Sequence, residues 1–328
     1  MTVASAILTA GPCAECHREI ETRQTQSHHS QALRRILDTP FASLLRKNPI
    51  EEAGVVKYSY DPAEGGLAVT TQRDNDSFRA LLEWTFGAGA VGHTAVGRID
   101  GRYFEHRISY YAEMGRSSLT PGQPFDTPRN ARDALGQVQS PEDAFRCFNC
   151  HATGVVKTDA GPDLGKAAPG IQCERCHGPG DRHIAAAKTN PTGSEVLRTV
   201  LNPGRLAARA VVEYCGECHR APKAGQISTT PELEDALSVR YQPFGLMASR
   251  CFVESKKLSC LTCHDPHEDA HRRDNGFYDA KCASCHQATV KPGAHCRRNQ
   301  KQDCLPCHMQ RTSPMPYLTF TDHRIRVY

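Results

Sequence analysis

The chain has 328 residues, with 16 cysteines, 16 histidines, one tryptophan and a formal charge of +4. Only 39% of residues are hydrophobic and the mean hydropathy is −0.53, a thin apolar supply for a length that suits one or two cored domains. No run approaches the roughly 20 apolar residues needed to cross a bilayer as a helix, and no basic block marks a nucleic-acid surface. The cysteines therefore point either to a disulfide framework or to a bound metal or cofactor.

Residues 1–12 carry a short apolar run without a basic start, too short for a secretory signal. Cys13-Ala-Glu-Cys16-His17 follows at once. The pattern predicts a helix over residues 17–38, ended before Pro40 and carrying His28 and His29. Adjacent helical positions diverge by about 100°, so only one of the two faces a given group. Residues 55–60 and 67–71 are strand-like, and 94–99 with 103–111 flank Asp100-Gly101, a hairpin signal. They predict a small β-rich insert over 51–135 that contains His93 and His106. A loop-rich passage at 121–128 closes it. Ser140-Pro141-Glu142-Asp143 and Thr230-Pro231-Glu232 read as helix starts, each with a cap, an early proline and early acids.

Six further copies of the first cysteine pattern follow. They are Cys147-Phe-Asn-Cys150-His151, Cys173-Glu-Arg-Cys176-His177, Cys215-Gly-Glu-Cys218-His219, Cys260-Leu-Thr-Cys263-His264, Cys282-Ala-Ser-Cys285-His286 and Cys304-Leu-Pro-Cys307-His308. Zinc ribbons use cysteine pairs but do not need a histidine directly after the second one. C-x-x-C-H is the attachment signature of haem c. Two thiols one helical turn apart form thioethers with the two haem vinyl groups, and the next residue, histidine, ligates the iron. Seven covalent haems are expected, about one per 47 residues. They would fill much of the interior, and the apoprotein is expected to be largely unfolded.

Nine histidines remain for the second axial positions. His28, His29, His93, His106, His183, His267 and His323 are the candidates, with His271 and His295 as surplus. His267-Glu-Asp-Ala-His271 has the zinc-protease form, but it follows Pro266 and lacks the long helix that form requires. Cys251 and Cys296 stand outside the repeat, either as a disulfide or as free thiols. Seven haems add about 14 propionate charges and about seven ferric positives, so the net charge falls to roughly −3 oxidised and −10 reduced. The expected fold is mainly α and irregular and haem-cored, in three segments: 1–50 with the first motif, the β-rich insert 51–135, and a haem array over 136–328.

Several stretches carry a family resemblance: Gly-Ile-Gln-Cys173-Glu-Arg-Cys176-His177-Gly-Pro-Gly with His183, Leu-Ser-Cys260-Leu-Thr-Cys263-His264-Asp-Pro-His267, Cys307-His308-Met309 and Phe-Thr-Asp-His323-Arg-Ile. The chain resembles, along most of its length, the multihaem cytochromes c related to cytochrome c-554 and to the octahaem hydroxylamine oxidoreductase and tetrathionate reductase group. The resemblance implies electron transfer through closely packed haems in stacked and perpendicular pairs, with His183, His267 and His323 as distal ligands. The C-x-x-C-K motif of the catalytic haem in nitrite reductases of the wider group does not occur here.

An electron carrier with no catalytic residue is therefore the first expectation. A redox enzyme acting on a small nitrogen or sulfur species at a five-coordinate haem is the alternative. Expected partners are redox proteins, other cytochromes, or copies of the chain itself in an oligomer or filament. Haem c is attached after export, so the expected location is extracytoplasmic, periplasm or cell exterior, with an upstream leader outside this sequence.

Overall fold

The computed structural model describes residues 11–47, 50–221, 236–270, 273–286, 303–315 and 317–327. The chain forms two compact units, residues 1–178 and 179–328.

The first unit is built on a nine-stranded antiparallel sheet. Its strands are β1 (Leu33–Arg35), β2 (Ile50–Glu52), β3 (Val56–Ala63), β4 (Gly66–Arg73), β5 (Asp76–Phe86), β6 (Gly92–Ile99), β7 (Arg102–Tyr111), β8 (Arg116–Leu119) and β9 (Gly136–Val138). β2 to β8 lie side by side in chain order, while β1 pairs with β5 and β9 with β7. Alternation sets the faces: Val56, Tyr58 and Tyr60 of β3 are buried, and Lys57, Ser59 and Asp61 are exposed. Asp100 and Gly101, at φ 50° and 75°, turn β6 into β7 as the hairpin signal predicted.

The sheet curls until it is nearly closed. Tyr60 of β3 meets His106 of β7 across the interior, Oη to Nε2 at 2.9 Å. Arg107 of β7 clasps Glu52 of β2, Nε to Oε2 at 2.8 Å, and also donates to the carbonyls of Pro124 and Asp126. Helices α2 (Pro40–Lys47) and α3 (Ala131–Leu135) add Phe41, Leu45 and Leu135 to an interior that holds Leu67, Leu82 and Phe104. On the other face, Leu33, Trp84, Phe86 and Tyr103 pack against Phe148 of α4 (Pro141–His151). Ser140 caps α4 as expected, accepting the Asp143 N–H at 3.1 Å.

Two expectations need correction. The chain is not mainly α and irregular: among the described residues 39% are helical and 28% are in strands, with one large sheet. Four of its strands are only three or four residues long, and a bulge between Leu82 and Trp84 breaks the alternation of β5. The periodicity therefore showed only part of it. The helix predicted over 17–38 ends at Thr25: α1 is Ala14–Thr25. Ser27 returns its hydroxyl to the Gln24 carbonyl at 2.6 Å, and the chain then leaves to pair as β1 with β5. Motifs two and three lie in the same unit as the sheet.

The second unit is helical and loop-rich. It contains α6 (Asp181–Thr189) and α7 (Ala208–His219), helices Gln242–Met247, Arg250–Ser255, Asn275–His286 and Cys304–His308, and a hairpin of Arg311–Met315 with Leu318–Thr321. The buried apolar cluster found among its described residues is small: Val212, Leu246, Met247 and Phe252. The helix start expected at Thr230-Pro231-Glu232 lies outside the described residues.

Candidate metal centres

Every C-x-x-C-H motif sits in a helical turn. Cys13 caps α1, motif two ends α4, Cys173–His177 is α5, and motif four ends α7. Cys260–Cys263 is a single turn, motif six ends helix Asn275–His286, and motif seven is helix Cys304–His308. Residues i and i+3 share a helix face, so the two thiols of a motif point the same way. Cys251 stands in the thiol form. Cys296 lies outside the described residues, and with it the expected pairing to Cys251.

The motifs meet through their first cysteines. The Cys13 thiol lies close enough to Cys173 to raise it, and Cys215 with Cys260 and Cys282 with Cys304 are close enough to shift each other. Burial, with the Cys13 thiol adding to it, pushes Cys173 up to about 11. Burial, reinforced by Asp279, pushes Cys304 up to about 12.

Specific contacts build these meetings. Gln24 of α1 donates its side-chain amide to the Ile171 carbonyl at 2.5 Å, and the His29 carbonyl accepts the Ile171 N–H at 2.8 Å. Gly170, at φ +74°, is what allows this: a Cβ there would collide with the Ser30 carbonyl. In the second unit, buried Asp279 accepts the N–H groups of Asp303 (2.7 Å) and Cys304 (2.9 Å), capping motif seven from the helix of motif six. Asp279 was not legible in the sequence as part of any motif. Neither were the carbonyls that orient the histidines, because every residue has one.

Those carbonyls fix tautomers. His151 Nδ1 donates to Ala32 O at 2.9 Å, and His308 Nδ1 donates to Arg326 O at 3.0 Å. Among the expected distal ligands, His183 donates to Val196 O (3.0 Å), His267 to Asp265 Oδ1 (2.8 Å) and His323 to Thr321 O (2.9 Å). Each bond puts the proton on Nδ1 and the lone pair on Nε2, the arrangement a metal-ligating imidazole needs. His267 stands in a turn after Pro266 rather than on a helix, so the zinc-protease form has no structural counterpart.

One pair of rings faces across a gap of telling width. The centroids of His264 and His323 are 6.3 Å apart, with planes at 38°. Two imidazoles on one metal ion hold their centres about 6 Å apart, from two bonds of about 2 Å and two ring radii of about 1 Å. Burial lowers His323 to about 4 and holds His264 below its ordinary value, so burial favours the neutral form of both rings. His219 of motif four lies near enough to contribute to the lowering at His323.

The remaining candidates are placed differently. His106 is fully buried inside the sheet, with Nε2 on Tyr60 Oη and Nδ1 on Leu135 O at 2.7 Å. His93 is buried beside it in the sequence of strands, stacked on Phe41 at 5.3 Å and bonded to the Gly87 carbonyl. Both rings sit in packed protein, and burial pushes both down to about 4. His28 is half-buried and His29 exposed, in the turn between α1 and β1 beside the segment that enters α5. His17, His177 and His286 stand at the ends of motifs one, three and six. His271 and His295 lie outside the described residues.

These residues fit covalent haem c. Paired thiols share a face, neutral histidines are oriented through Nδ1, one histidine pair is spaced for an iron, and the second unit has little apolar core of its own.

Comparison with known proteins points the same way. The family described as cytochrome c554 and c-prime matches residues 124–178. Over 217 residues the chain is 24% identical to the multiheme cytochrome MtrA of Shewanella baltica, covering 62% of this chain and 49% of that protein. The chain thus spans about half the length of that relative. The crystal structure of the outer cell wall cytochrome OcwA superposes with a TM-score of 0.50 at 14% identity, covering 96% of this chain and 78% of that one. The chain is similar in sequence to a multihaem cytochrome and shares a fold with another.

Proposed function

We propose that this chain is a heptahaem cytochrome c that passes electrons between closely set haems, working outside the cytoplasm with other redox proteins. The observation that carries the proposal is the meeting of motifs one with three, four with five, and six with seven through their first cysteines. Groups attached at touching points are neighbours, which short electron hops require. The relatives support it: one is named a multiheme cytochrome and the other an outer cell wall cytochrome.

Haem c supplies a one-electron iron couple whose potential is set by its ligands and surroundings. The chain's residues do the rest. Fourteen motif cysteines tether the groups, and His17, His151, His177, His219, His264, His286 and His308 are the proximal ligands. His323 is the distal ligand opposite His264. His183, His267, His28 and His29 serve other irons, while His93 and His106 belong to the sheet interior. Intact-mass measurement of the matured protein should show seven haems, and Cys→Ala replacement of both cysteines in a motif should remove one. A native count other than seven would overturn the assignment.

A second reading has one observation in its favour. The first unit holds three motifs, yet with His93 and His106 inside the sheet its remaining histidines for distal positions are His28 and His29. One of its irons then takes its sixth ligand from outside the unit or stays open to a small nitrogen or sulfur substrate. A high-spin ferric EPR signal and tight nitrite or hydroxylamine binding in the intact protein would support an enzyme. A fully low-spin spectrum removes that reading, and size-exclusion chromatography then tests whether a second copy supplies the ligand.

A further inference from the structure

His323 is held by a small, dry piece of architecture. Ser249, only 1% exposed, sits between helices Gln242–Met247 and Arg250–Ser255. Its Oγ lies 3.1 Å from the carbonyl oxygens of both Gly245 and His323, and accepts the Ile325 N–H at 2.8 Å. The strap of residues 322–326 is therefore hydrogen-bonded to one hydroxyl on both sides of residue 324, accepting at the His323 carbonyl and donating from the Ile325 N–H. Gly245 provides the floor: a Cβ there would stand 2.9 Å from Arg324 N and 3.0 Å from the His323 carbonyl carbon.

The same strap is tied to motif seven. Asp322 N–H donates to Gln310 O (2.9 Å), Arg326 N–H donates to His308 O (3.2 Å), and His308 Nδ1–H donates to Arg326 O (3.0 Å). One short segment thus carries the ring that faces His264 and the carbonyl that orients His308.

We propose that Ser249 is a positioning residue that holds His323 at the iron tethered by Cys260 and Cys263, and that through residues 322–326 it also steadies His308; this rests on His264 and His323 sharing one iron. Without the hydroxyl, the partly buried Ile325 N–H and His323 carbonyl each lose a hydrogen bond and keep the one they make to each other, at 3.0 Å. The strap then opens locally, and the distal bond weakens while the thioether tethers keep the haem in place.

The test uses the full-length holoprotein and the variants H323A, S249A, S249T and G245A, each first shown by intact mass to keep its full haem content. Resonance Raman spin state and carbon monoxide uptake in the reduced protein are the readouts. H323A should convert one haem to a high-spin form that binds carbon monoxide. S249A should produce the same species as a partial population, with the distal-ligand equilibrium loosened about 10–100-fold, the range for loss of an outer-shell partner. S249T, which keeps the hydroxyl, should return towards the native spectrum. If S249A does not accumulate, G245A, which displaces the strap with the hydroxyl intact, is held to the same criterion. An S249A or G245A protein that stays low-spin and inert to carbon monoxide, while H323A opens a haem, overturns the role of Ser249 and leaves the ligand assignment standing. An H323A protein spectroscopically identical to the native one overturns the shared iron itself.

Discussion

His106 and His323 make the same hydrogen bond, Nδ1–H to a backbone carbonyl, and burial brings both to about 4. What differs is the object at Nε2. For His106 it is the Tyr60 hydroxyl inside the sheet; the His323 ring has instead the His264 ring as a neighbour, centroid to centroid at 6.3 Å. The neutral state of His106 has a consequence for acid stability. Its folded value lies below the ordinary value of 6.5, so the unfolded chain takes up the proton first. The stabilisation is present above about pH 6.5 and is lost as the pH falls towards 4. Its size is of the order of 3 kcal/mol at the acid limit. Urea unfolding of the sheet should show lower stability at pH 4.5 than at pH 7, and H106Q should flatten that difference. An unchanged pH dependence in H106Q would show that other groups carry it.

At the scale of elements, the turn after α1 and the segment entering α5 are pressed together at Gly170. Two penalties await a side chain there, the positive φ and the Ser30 carbonyl. Gly178 makes a useful control, since its φ is +72° but nothing lies within 4 Å of the place a Cβ would take. G178A should cost about 1 kcal/mol from backbone strain alone, and G170A about 3 kcal/mol or more. Thermal unfolding of the two holoproteins measures the difference; equal shifts would mean that the turn moves aside without cost. The turn carries His28 and His29, so G170A should also perturb low-spin signals that G178A leaves alone. None of this was visible in the repeat. The sequence predicted a continuous helix here because Ser27 and Ser30, which fold the chain back on itself, look the same in a helix as in a turn.

For the whole molecule, the two units differ in what fills them. The first has a protein core inside its sheet and a second cluster outside it; the second has one small apolar cluster among its described residues. The expectation that the apoprotein is largely unfolded therefore applies unequally. Chain made without haem attachment should keep a strand signature in circular dichroism and a protease-resistant core within residues 1–178, while residues 179–328 are digested. Equal digestion of both units would refute this division.

Covalent attachment is the chemistry of five consecutive residues, so the seven C-x-x-C-H motifs, and with them the expectation of thioether tethers and proximal histidines, were legible in the sequence alone. The Asp100-Gly101 hairpin and the Ser140 cap were legible for the same reason, because each is local. Motif pairing and the surroundings of each candidate histidine join residues far apart in the chain, and only the tertiary structure decided them. A histidine on an inward strand position reads alike whether the interior holds a porphyrin or Tyr60. Closure of the sheet set the His106 ring against Tyr60 and the His93 ring against Phe41, and the fold of the second unit brought the His323 ring to 6.3 Å from His264.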